Sequence, residues 1–354
     1  MKIGFDAKRY FHNHTGLGNY SRTLIGNMQK MAFSNEYRLY DESSFIRTFM
    51  LGKKAESDGC DLFHGLSNEI PVDIKIPSIV TIHDVAWRTF PKMYHLADRL
   101  IYDLKYGSSC KRATHVIAIS ESTKRDVMSF YGINEEKISV VYQPVQQNYY
   151  SPMLNEKSLA IVRSNLPLLP KDFILYVGSI NARKNLLSLV QALKLIPKEN
   201  RPFLLVIGNG REYRNKVEHY ISTHDLGTYI QIESNIYDNK LLQSLYAQAR
   251  AFVYPSFYEG FGLPVVEAAL QATPVVTTTV SSLPEAAGPD ACLINPHDKD
   301  ASEQIANYIE RLITDNEYHD AVGKKMQEYS KKMFSTDKFV ENTIRLYETI
   351  VKQS

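Results

Sequence analysis

Two glutamates eight positions apart, Glu259 and Glu267, bracket a Gly-Phe-Gly-Leu-Pro turn in the stretch YEGFGLPVVEAAL, residues 258–270. Pro264 suits the first position of a helix, so the N–H groups of Phe261 to Leu263 are expected to lack intrahelical partners and to favour negative charge. Glu267 then lies about one turn into that helix and Glu259 on the loop before it. Dipole compensation explains an acid in a first turn, and solvation explains one on a loop. Neither explains Gly260 and Gly262, which let a ligand approach the backbone closely. A second cluster, GSINARKNL at 178–186, sets Arg183 and Lys184 just ahead of a helix that Asn185 can cap. Two cations beside a helix N-terminus make an anion site, although such a pair taken alone reads as an ordinary solvated loop. A diphosphate with hydroxylated groups at both ends accounts for all of these features together. The cations and amides hold phosphate, and each carboxylate accepts hydrogen bonds from hydroxyl groups.

These residues sit in a chain whose β-rich runs alternate with helical periodicity. Runs at 2–7, 78–84, 115–120 and 138–144 are separated by helical patterns, notably 92–112 and 121–131. The alternation lapses among Pro144, Pro152, Pro167 and Pro170, a linker pattern with a helix inside it. It then restarts with strands in DFILYVGS, PFLLVIGNG, TYIQIES, AFVYPS and PVVTTT. Nearly all-apolar strands between helices predict parallel sheets covered on both faces. At 354 residues, two domains are expected: 1–162 and 163–335, each Rossmann-like, with 336–354 forming a helix that returns to the first. In such sheets ligands sit at the carboxyl ends of the strands, where both clusters fall.

The segment PSFYEGFGLPVVEAALQATPVV, followed by SSLPEAAG and preceded by GSINARKNL and LLQSLYAQARAFVYPS, resembles the retaining glycosyltransferases of family 4. The resemblance extends to GLGNYSRTL, TIHDVAW and IAISESTKRDV and so covers nearly the whole chain in order. It implies the GT-B fold, two Rossmann-like domains facing a central cleft that closes about a hinge within 144–172. The implied activity is metal-independent transfer of a hexose, mannose as first guess, from a nucleotide diphosphate sugar with retention of configuration, in surface-polysaccharide or lipopolysaccharide assembly. The donor is a substrate, so no cofactor is implied.

By the same resemblance Arg183 and Lys184 bind the donor diphosphate, Glu267 the ribose, and Glu259 the transferred sugar. Backbone at Gly260, Phe261, Gly262 and Leu263 lies near sugar and phosphates, and Asn235 and Ile236 meet the base. The latter segment, ESNIYD, lacks the glycine often found there. His83, at a strand end before Asp84, stands beside the donor sugar; without the resemblance a lone histidine reads as structural. Gly16 and Gly18 place the GLG loop near donor phosphates and acceptor. Ser21 replaces the third glycine of a dinucleotide fingerprint, which argues against NAD. Ser120 of the Ser120-Glu121 pair reads as a helix cap. Phe334-Ser335-Thr336 departs from the family's Phe-Ser-Trp.

A net charge of +2 supplies no global field for nucleic acid, and no apolar run reaches the ~20 residues of a membrane span. With no signal-peptide pattern at the N-terminus, the chain is expected in the cytoplasm, with a glycan or lipid-linked glycan as acceptor and a peripheral contact at the inner membrane as the associated location. His12 and His14 lack a third ligand, and no metal is expected. Cys60, Cys110 and Cys292 suit buried reduced thiols. No pattern selects an oligomeric state. An inactive sugar-nucleotide-binding subunit and a sugar-nucleotide epimerase are the competing readings.

Overall fold

A computed structural model describes residues 1–13, 16–236 and 238–353. The chain divides into two compact units, Met1–Gln146 with Phe334–Ser354, and Gln147–Met333.

Six parallel strands form the sheet of the first unit: β1 (Lys2–Asp6), β2 (Glu36–Tyr40), β3 (Leu62–Gly65), β4 (Ser78–Ile82), β5 (His115–Ala118) and β6 (Ile138–Val140). Their order is β2-β1-β3-β4-β5-β6. All five residues of β4 are buried, as a strand covered by helices on both faces requires. β2 (EYRLY) carries two charged residues at exposed or partly buried positions and β3 (LFHG) ends in histidine and glycine, so neither reads as an apolar run. Both lie outside the expected strands.

Six more strands make the second sheet: β7 (Phe173–Val177), β8 (Phe203–Ile207), β9 (Ile230–Glu233), β10 (Ala251–Val253), β11 (Val275–Thr278) and β12 (Cys292–Ile294). The order β12-β11-β10-β7-β8-β9 means that the chain builds outward from β7 in one direction, then returns to build from β10 in the other. The crevice at the carboxyl ends of β7 and β10 is thus a topological switch point, where doubly wound sheets bind ligands. The edge strand β12 was not anticipated from sequence.

The division between units falls earlier than the expected boundary at 162. The helix Asn155–Asn165 packs against Asn239–Gln248, with Gln248 Nε2 2.7 Å from both Asn155 Oδ1 and Ser158 Oγ. Tyr149 is buried, and its carbonyl accepts a 2.8 Å hydrogen bond from the Gln271 side chain. Much of the Pro-punctuated stretch is therefore part of the second unit's packing. The final helix, Thr336–Gln353, belongs to the first unit: Tyr347 Oη lies 2.5 Å from His64 Nδ1, and Phe334 packs edge-on against Tyr142. All three cysteines are buried and free. No helix among the described residues is long and apolar enough to cross a membrane.

Candidate donor site

Strand β7 delivers its chain to a tight turn. Asn181 Oδ1 accepts from Lys184 N at 3.1 Å and closes the 3-10 turn Ala182–Lys184. Asn185, anticipated as a side-chain cap, instead takes the left-handed conformation (φ 54°) and makes no cap hydrogen bond; its Oδ1 accepts from Ser188 Oγ at 2.8 Å. The turn brings the two consecutive cations against the loop that follows β10. Phe257 N donates to the Arg183 carbonyl at 2.8 Å, and Arg183 Nη1 donates to the Tyr258 carbonyl.

There the cations meet Glu259. Its Oε1 lies 2.6 Å from Lys184 Nζ and its Oε2 3.2 Å from Arg183 Nη1. Lys184 also donates to the Tyr254 hydroxyl. Glu259 is 8% exposed, and burial alone raises a carboxyl pKa; the Lys184 and Arg183 charges outweigh it and hold the group below its ordinary range. Such a carboxylate is ionised at neutral pH, and the cluster is a buried acid between two bases.

The loop is fixed from the side by residues that the sequence reading left without a role. Glu259 N donates to Ser281 Oγ at 3.0 Å, and Ser282 Oγ lies 2.9 Å from the carbonyls of Glu259 and Phe261. Thr278 Oγ1 donates to the Ser256 carbonyl at 2.9 Å. The sequence signal for them is SSLPEAAG shortly after a strand. Gly262, at φ 104°, ends the loop; a Cβ there would be strained and would meet Leu283 Cδ2 at 3.0 Å. Phe261 is buried and its carbonyl accepts from Ser282 Oγ, while Gly260 and Leu263 are half-buried. The helix Leu263–Leu270 follows without a side-chain cap, Pro264 at its second position.

Glu267, in that helix, has different surroundings. Its Oε2 accepts from the Tyr246 hydroxyl at 3.0 Å, with no cation in contact among the described residues, and burial pushes its pKa to about 7. The two acids are therefore electrostatically unlike: one is held ionised, the other sits near its titration point. Asn235 and Ile236 follow the edge strand β9, Asn235 exposed and Ile236 half-buried.

In the first unit, His83 follows β4. Its Nε2 lies 2.9 Å from the Leu66 carbonyl, which can only accept, so Nε2 carries the proton. Its backbone N donates to Asn68 Oδ1 at 2.8 Å, and its ring meets Tyr20 edge-on at 4.7 Å. Burial lowers its pKa and keeps the ring neutral. Asp84 turns back to accept from Ala86 N at 3.1 Å. Gly18 N donates to Asn13 Oδ1 at 3.2 Å, and a Cβ at Gly18 would fall 1.7 Å from the Asn13 carbonyl oxygen. The close packing of that loop requires a glycine at 18, whereas a Cβ at Gly16 meets nothing within 4 Å. Ser120 caps its helix through Thr123 N at 3.0 Å. His12 pairs with Asp41 at 2.7 Å, and His14 lies outside the described residues.

The model of the glycosyl transferases group 1 matches residues 160–332, and that of Glycosyltransferase Family 4 matches 42–148. The O-antigen chain mannosyltransferase B of Escherichia coli is 26% identical, across 99% of this chain and all of that protein. Among solved structures, sucrose-phosphate synthase from Thermosynechococcus elongatus superposes with a TM-score of 0.79 at 19% identity, covering both chains in full. Anabaena Alr3699/HepE in complex with UDP and glucose gives 0.74 at 16%, over 99% of this chain and 100% of that one.

Proposed function

The chain belongs to the group 1 glycosyltransferases of family 4 type, and from that premise we propose that it moves a hexose from a nucleotide diphosphate sugar to a glycan hydroxyl, with retention of anomeric configuration. Mannose is the sugar and surface-polysaccharide or lipopolysaccharide assembly the setting, in line with the O-antigen mannosyltransferase relative. The observation that carries the reading is the convergence of Arg183, Lys184 and Glu259 at the switch point of the second sheet.

As the bond from the anomeric carbon to phosphate lengthens, negative charge grows on the leaving diphosphate. Arg183 and Lys184 stabilise that charge more in the transition state than in the ground state, the role a metal ion plays elsewhere. The acceptor oxygen attacks the same face, and its proton passes to the departing phosphate. A diphosphate reaching the two cations competes with Glu259, whose carboxylate is then available to the sugar hydroxyls. Glu267 accepts from the ribose hydroxyls, Asn235 and Ile236 meet the base, and the neutral His83 contacts the sugar. A lipid-linked acceptor would bring the protein to the inner face of a membrane.

Incubation with GDP-mannose and a mannoside acceptor, followed by NMR of the product, tests this directly. The expected product keeps the donor's anomeric configuration and forms at the same rate in EDTA. An inverted product or free mannose alone would overturn the mechanism.

A further inference from the structure

Strand β4 ends at Ile82, and the buried His83 beyond it needs a partner for its backbone N–H. Asn68 supplies one. Its Oδ1 accepts from His83 N at 2.8 Å while its own N–H donates to the Thr81 carbonyl at 2.9 Å. A side chain thus stands where the neighbouring strand β3, which ends at Gly65, no longer offers a carbonyl. Asn68 makes both bonds from a left-handed backbone, φ 66°, while 6% exposed. That conformation is uncommon outside glycine, asparagine is among the residues that tolerate it, and held in a buried segment it marks a position the fold over-determines.

The ring of His83 is fixed from the same segment. Leu66, two residues before Asn68, accepts the Nε2 proton on its carbonyl at 2.9 Å. Tyr20 meets the ring edge-on at 4.7 Å and is itself held through Thr81 Oγ1, 3.1 Å from Tyr20 Oη and 2.8 Å from His64 Nε2. With the ring neutral and its proton on Nε2, Nδ1 carries a lone pair, and no described residue hydrogen-bonds to it. Such a nitrogen accepts and cannot donate.

We propose that Asn68 is the positioning residue of His83, and that segment 66–68 locks the imidazole as an acceptor, selecting a donor-sugar hydroxyl that gives its hydrogen bond to Nδ1. The inference rests on the proposed function for the place of His83 beside the sugar, and adds to it the direction of the hydrogen bond and the residues that impose it.

Heteronuclear NMR on protein with isotopically labelled histidine reads the tautomer, with His83→Ala identifying the signal. The proton is expected on Nε2; a proton on Nδ1 overturns the lock. Asn68→Gly keeps the left-handed backbone and removes the acceptor. It should lower kcat about ten- to a hundredfold, leave the affinity for GDP, which has no hexose, unchanged, and cost nothing further in a His83→Ala background. Additive losses, or an equal loss of GDP binding, would reduce Asn68 to a residue of the fold alone. GDP-mannose analogues with one hydroxyl at a time replaced by hydrogen or by fluorine, neither of which donates, locate the partner. At one position both should bind wild type about tenfold more weakly, and bind His83→Ala as well as GDP-mannose does. Loss at no position, or a loss with hydrogen that fluorine restores, overturns the assignment. Should no nucleotide sugar bind, the transferase reading falls while the tautomer still decides the lock; a proton on Nδ1 with transfer intact does the reverse.

Discussion

Lys184 Nζ lies 2.6 Å from Glu259 Oε1, so the cation assigned to the donor phosphates is already bound to the acid assigned to the sugar. In the proposed mechanism this acid competes with the donor diphosphate for the two cations.

Replacing it tests that exchange. Glu259→Gln removes the competing charge, and nucleoside diphosphate affinity should rise several-fold while kcat falls by about 10² or more. The same change strands two partly buried cations, and breaking such a pair costs about 3–5 kcal/mol. Melting temperature should therefore drop in buffer and recover with GDP. Unchanged nucleotide affinity would show that the carboxylate and the diphosphate do not share the cations.

Arg183→Ala and Lys184→Ala address the leaving group. Each should lower kcat by about 10²–10³, the usual loss on removing one preorganised charge donor, with circular dichroism unchanged. Single-turnover release of nucleoside diphosphate measures it, and a change confined to KM would reassign them to uniform binding.

Glu267 supplies a pH dependence. Its pKa is raised from 4.5 to about 7, so the folded protein holds a proton that the unfolded chain gives up. Its contribution to stability is fully present below about 4.5 and is lost as pH rises to about 7. Wild type should therefore lose stability relative to Glu267→Gln across that window, by about 1–3 kcal/mol. If the ionised form accepts from ribose, nucleotide affinity should rise between pH 6 and 8 in wild type and stay flat in Glu267→Gln. Isothermal titration at several pH values separates the two.

Tyr347→Phe probes the last helix. The His64 imidazole is buried between the Tyr347 hydroxyl and Thr81 Oγ1, and burial lowers its pKa to about 3. Deleting the hydroxyl leaves a buried ring nitrogen without its partner, at a cost of about 1–3 kcal/mol. Because the folded-state pKa lies below the unfolded 6.5, His64 contributes stability present above about 6.5 and lost as pH falls towards 3. Urea unfolding at pH 7 and 5 should show both effects, and His64→Asn should show a weaker acid dependence than wild type.

Strands such as β4, β7, β8 and β11 were legible because burial on both faces fills them mainly with apolar and β-branched residues, a property each segment carries locally. β2, β3 and β12 were not: Glu36 and Arg38 put charge into β2, β3 ends in His64 and Gly65, and β12 has three residues. The packing of 147–165 was masked by prolines, whose turn signal says where the chain bends and not what it lies against. Ser281 and Ser282 escaped notice because a serine after a strand looks the same whether it faces water or pins a neighbouring loop.

By itself, the sequence determined the alternation of strand and helix, the family, and the identities of Arg183, Lys184, Glu259 and Glu267. Tertiary structure alone decided which of these meet. β10 pairs with β7, and that adjacency sets the loop of Glu259 against the turn of Arg183 and Lys184. Burial leaves Glu267, whose carboxylate accepts from the Tyr246 hydroxyl, near its titration point at neutral pH. A carboxylate's charge state depends on the dielectric and the counter-charges around it, and those are set by strand order, which no local pattern encodes.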